Sequence, residues 1–141
     1  MMRVGAGPRA RRSGRSGAAL VEMAVVFPLL LTMILGMIEM ARLGMVSQLL
    51  TTAAREGCRV AVIQGKTQAD VQARVNAVLA GSGISVGTVT PTPSNWATAS
   101  TGTAVTVSLS VPYSRVTWIP LPRFLKTATI RASATMNAER P

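Results

Sequence analysis

Histidine is absent from this chain of 141 residues, and cysteine, acidic and aromatic residues are scarce. Without histidine, the commonest general base and metal ligand is missing. The single cysteine, Cys58, has no partner for an internal disulfide. Arg55-Glu56-Gly57 precedes it, where a lipoprotein signal would need an apolar end. Acids number five, and Asp70 is the only one between Glu56 and Glu139. Paired carboxylates, a nucleophile elbow, a phosphate-binding glycine loop and a metal-ligand cluster are all lacking. An enzyme would be short of its usual parts, and no cofactor is expected. Cys58 lies near the apolar face of a helix, where a buried structural thiol is the default.

What is present is basic and apolar. Fifteen Lys+Arg give a formal net charge of +10. Five of them form a leader without acids: Arg3, Arg9, Arg11, Arg12 and Arg15. The remainder carries only +5, and its bases are spread along the chain. Arg115, Arg123, Lys126 and Arg131 are available to an anionic surface or a DNA backbone. Nothing interleaves them as base readers, so nucleic acid is not an expected partner.

After the leader, Ala18 to Ile38 is a run of twenty-one mostly apolar residues, uncharged from Met23 onward. As a helix it rises about 31 Å, against a hydrocarbon core of about 30 Å. A membrane-spanning helix is expected, with the arginine leader in the cytoplasm and the rest outside it. A cleaved secretory signal fits less well, because the run is long and no small-x-small site closes it. Pro28 should free the Ala24 carbonyl, which membrane helices tolerate. Glu22 has two readings: a carboxylate snorkelling into headgroups, or one paired with a cation inside an assembly. The second is preferred, since intramembrane acids are costly and usually functional.

Past the span, Leu43, Val46, Leu50, Ala53, Gly57 and Val60 recur at spacings of three and four, with Gln48, Thr52, Arg55, Glu56 and Arg59 opposite. One helix is therefore expected from about Ala18 to Ile63, its stripe covering the protein's own domain. Thr67-Gln68-Ala69-Asp70 reads as a capping box opening a second helix, and Gly81-Ser82-Gly83 closes it. The period then changes to two, predicting strands at Ile84–Val86, Val105–Val111 and Ala128–Met136. Thr90 to Gly102 and Tyr113 to Lys126 read as connections. The aromatics of the second, Tyr113, Trp118 and Phe124, either cap the sheet edge or meet a partner or lipid. The expected class is α+β: a long transmembrane and amphipathic helix, and a short second helix packed on a small antiparallel sheet. The expected organisation is a leader over 1–17, a span over 18–38, a helical continuation over 39–64 and a small extracytoplasmic domain over 65–141.

Gly17-Ala18-Ala19-Leu20-Val21-Glu22, set behind the basic leader, resembles the processing site of type IV pilins. Together with Phe27-Pro28-Leu29-Leu30-Leu31, Gly36-Met37-Ile38-Glu39-Met40-Ala41-Arg42 and Ala53-Ala54-Arg55-Glu56-Gly57, it resembles the TadE-like family over residues 12–63. Val111-Pro112-Tyr113 and the final Ala-Thr-Met strand extend the likeness more loosely. That resemblance implies a pilin-like fold and a pseudopilin of a tight-adherence, Flp-type pilus system. Gly17 would precede a bond cut by a prepilin peptidase, Ala18 would become the mature N-terminus, and Glu22 would be the assembly carboxylate. The implied setting is the bacterial inner membrane, with other pilins and the tight-adherence machinery as partners. Two readings compete with it. One is an uncleaved single-pass anchor with a periplasmic binding or scaffold module; the other is a pilin-like protein that captures DNA.

Overall fold

The computed structural model describes residues 13–117 and 127–139. The elements run α1 (Ser13–Ala61), α2 (Gln68–Leu79), β1 (Ala104–Pro112) and β2 (Thr129–Asn137), an α+β arrangement. The chain divides into two compact units, one ending at Ile38 and the other beginning at Glu39. In the first unit α1 passes through Pro28 without interruption. The Thr32 hydroxyl donates to the Pro28 carbonyl at 2.8 Å. Large apolar side chains there face outward on every side, including Leu20, Phe27, Leu29 and Met33. Such a helix is long and apolar enough to cross a membrane.

The second unit has an ordinary core. The expected stripe of α1 is buried in it at Val46, Leu50, Ala53 and Gly57, joined by Ala54, Cys58 and Ala61. α2 opens as its sequence dictates. The Asp70 backbone N–H donates to Thr67 Oγ1 at 3.3 Å, and the Thr67 N–H donates to Asp70 Oδ2 at 2.9 Å. The Thr67 N–H bond, together with one donated by the Thr67 hydroxyl, holds the Asp70 carboxyl below its ordinary range. Val71, Val75 and Leu79 are the buried side of α2, and left-handed glycines Gly81 (φ 81°) and Gly83 (φ 71°) follow its end.

β1 and β2 pair antiparallel, from Ala104 opposite Asn137 to Pro112 opposite Thr129. Val105, Val107, Leu109 and Val111 of β1 are all buried, as their alternation predicts. The predicted strand at Ile84–Val86 does not form; the sheet has two strands. The Ile84 N–H donates to Ser82 Oγ at 3.2 Å, and side chains of α2 hold the chain further on, at Val89. The Val89 N–H donates to Gln72 Oε1 at 2.8 Å, and Gln68 Nε2 donates to the Val89 carbonyl at 3.0 Å. Ile84 and Val86 still pack on the core, from irregular chain. Thr92 bridges to β1, through reciprocal N–H···O bonds of 2.8 Å with Thr106.

Within this unit β1 runs antiparallel to α1. Cys58 meets Val105 near the start of β1, and Glu39 meets Tyr113 just beyond its end. A tight spot lies between α1 and α2. A Cβ added to Gly57 would come within 2.7 Å of Val75 Cγ2 and 3.5 Å of Val107 Cγ1. Only glycine lets the elements approach this closely.

Candidate functional site

The residues expected to act lie at the beginning of α1 and in the leader before it. Gly17, Ala18 and Glu22 stand near its beginning, inside continuous helix, and all three are exposed. Ala18 and Glu22 are one turn apart on the same face. Among the described residues nothing lies within 4 Å of a Cβ added at Gly17. Arg15 lies in the first turn of α1, whereas Arg3, Arg9, Arg11 and Arg12 fall outside the described residues. So do Trp118, Arg123, Phe124 and Lys126 of the second connection.

A second polar group forms where the charged sequence resumes after the apolar run. Tyr113 Oη donates to Glu39 Oε1 at 2.8 Å. One turn further, Arg42 Nε donates to the Val116 carbonyl at 2.6 Å. Tyr113 opens a short 3-10 turn, Tyr113–Arg115, directly after β1. Its N–H donates to the Ala128 carbonyl at 2.9 Å, and its own carbonyl accepts from Val116 and Thr117 at 3.0 and 3.1 Å. Tyr113 is buried, and its bond to Glu39 raises the phenol above its ordinary range. Two long-range bonds thus clasp the turn after β1 to α1 at its first residues past Ile38. From sequence, Tyr113 is expected either to cap the sheet edge or to meet a partner or lipid, and Glu39 and Arg42 have no role; the structure buries Tyr113 against Glu39. A signal was present: Glu39, Arg42, Leu43, Val46 and Leu50 share one helical face.

The other polar contacts of the second unit hold the fold. Glu56 accepts from Arg74 at 2.7 Å and from Arg59 at 3.3 Å. The Arg74 hydrogen bond, with Arg59 beside it, lowers the Glu56 carboxyl from its ordinary range. Cys58 is fully buried, and its thiol donates to the Val105 carbonyl at 3.1 Å. Burial pushes that thiol up, which leaves it unreactive, as a structural thiol should be. Among the described residues, no group of His, Cys, Asp or Glu is arranged to hold a metal ion.

Comparison with known families finds one correspondence. Residues 17–59 match the family of TadE-like proteins, the family that the sequence resembles. The matched stretch begins at Gly17 and takes in the apolar helix, the clasp residues Glu39 and Arg42, and the buried stripe to Arg59. No curated protein and no solved structure matches the chain.

Proposed function

We propose that this chain is a membrane-anchored, non-enzymatic pseudopilin or minor pilin that supports assembly of a tight-adherence, Flp-type pilus. The observation that carries the reading is the TadE-like match over a helix apolar on all sides. In this account residues 1–17 are a cytoplasmic leader, 18–38 cross the inner membrane, 39–64 continue the helix outside, and 65–141 form the periplasmic domain. A prepilin peptidase cuts after Gly17. The new α-amine of Ala18 then lies one turn from Glu22, on its own helix or a neighbour's. Its role is electrostatic. An uncompensated acid at the centre of a membrane helix costs about 2.5–3.5 kcal/mol on insertion scales, and less at Glu22, one turn inside the span. A cationic amine offsets that cost only where the two meet, so the pair favours one axial register between helices. The other partners are pilins and the inner-membrane machinery of the pilus system.

The second reading, an uncleaved anchor bearing a scaffold domain, is favoured by one observation: Gly17 and Ala18 lie inside regular helix. It needs neither Gly17 nor Glu22. Complementation separates the two. Cells lacking the chain should lose surface pili and regain them with the wild-type chain, but not with Glu22→Ala. Full piliation by Glu22→Ala would remove the charge-pairing role, and piliation without the chain would remove the assembly role.

A further inference from the structure

We propose that the bilayer contact of α1 extends beyond the hydrophobic run to Met45, so that the turns carrying Glu39 and Arg42 sit in the outer headgroup layer with their charges turned into the protein. The proposal rests on the membrane-spanning reading of residues 18–38. The charge pattern of the sequence puts the membrane boundary between Ile38 and Glu39. On the outward face of α1 the structure shows apolar surface continuing past that point. Glu39 and Arg42 are only half exposed, bonded to Tyr113 and Val116 of the second unit. The outward side of the same two turns is apolar or small: Met40 (69% exposed), Ala41, Gly44 and Met45 (70%). Polar residues begin abruptly after that, at Ser47 and Gln48, both exposed.

Helical rise fits this depth. Ala18 to Met45 spans about 42 Å, matching the roughly 40–45 Å of a bilayer with its headgroups. Helical side chains lean toward the N-terminus, so Met45 covers the turn below its own Cα, on the membrane side. A free glutamate and arginine at this level would be drawn to water. The clasp gives each a hydrogen bond within the protein and leaves the thioethers of Met40 and Met45 exposed on the outward side. Tyr113 adds a phenol of the kind that sits at membrane interfaces. The occupant is lipid because Met40 and Met45 follow the span within the same helix, and no polar residue is exposed between Ile38 and Ser47.

The test uses the unmodified full chain in phosphatidylcholine–phosphatidylglycerol vesicles, with methionine oxidation by the membrane-impermeant anion chloramine-T read residue by residue by mass spectrometry. Met40 and Met45 should oxidise at least tenfold more slowly than a methionine peptide added to the same suspension, at every protein-to-lipid ratio. Rates within twofold of that peptide, with Met33 still protected, would overturn the proposal and leave the span intact. Oxidation of Met33 as well would refute the spanning reading itself. Protection that disappears on dilution into more lipid would assign the patch to a second copy of the chain and overturn the lipid assignment. Tyr113→Phe, which releases one side of the clasp, should raise the Met45 rate severalfold. An unchanged rate would overturn the clasp's part in the proposal.

Discussion

Gly57 is the position where the packing of the second unit can be tested most sharply. An alanine Cβ would lie 2.7 Å from Val75 Cγ2, closer than carbon atoms tolerate, with Val71 and Val107 blocking retreat. All three valines are fully buried. Overpacking of this kind costs about 1–3 kcal/mol. Alanine regains about 1 kcal/mol of helix propensity over glycine, so Gly57→Ala should be destabilising by about 1 kcal/mol. Gly57→Val adds two further methyl groups to the same closed space and regains less propensity, for a net loss of about 3 kcal/mol. The native reporter is Cys58, the sole cysteine, buried one residue away. Thiol labelling of the full chain in detergent micelles then reads the free energy of opening. The labelling rate should rise about fivefold for the alanine variant and about a hundredfold for valine, since about 1.4 kcal/mol is a factor of ten. Val75→Ala should partly rescue Gly57→Ala, with a coupling of about 0.5–3 kcal/mol between the sites. Labelling of Gly57→Val at the wild-type rate would refute the close approach of α1 and α2.

Three other outcomes follow from particular contacts. Tyr113→Phe removes a hydrogen bond to a carboxylate and should cost about 1.5–3 kcal/mol in urea unfolding of the full chain in micelles. The Tyr113 phenol is raised in the folded state, so its contribution is complete below the ordinary tyrosine value of about 10 and is lost as pH climbs through the higher folded value; wild-type stability should fall in that alkaline window more than that of Tyr113→Phe. Glu56 and Asp70 are both lowered, so their contributions are present above the ordinary carboxylate range of about 4 and disappear as pH drops through their lower folded values; an acid titration followed by circular dichroism should lose less in Glu56→Gln than in the wild type. Thr67→Ala removes the cap of α2 and should cost about 1 kcal/mol, read by the same unfolding measurement.

Short-range rules made much of this fold legible. The capping box at Thr67 is a contact across three residues, and the stripe from Val46 to Gly57 follows from helical period alone. The alternation of β1 and β2 also survived to within a residue or so at each end. Ile84–Val86 misled because alternation records which side chains face a core, and irregular chain can meet that demand equally well. The bonds that hold the chain just beyond it, at Val89, come from Gln68 and Gln72, about twenty residues away. The clasp was hidden for a similar reason, since each of its bonds joins residues seventy-four positions apart. Gly57 was recognised as part of an apolar stripe, but the sequence does not reveal that a second helix would press against it. The processing site is proposed from the order of its residues alone, and the structure adds that Gly17, Ala18 and Glu22 are exposed on α1.

The central claim is that this chain enters the pilin pathway through a cut after Gly17. The most direct measurement is the mass of the N-terminal peptide recovered from membranes, in cells with and without a prepilin peptidase. The account predicts a peptide starting at Ala18 that appears only when the peptidase is present. A peptide still carrying the arginine leader in both strains would contradict it and make the chain a permanently anchored scaffold.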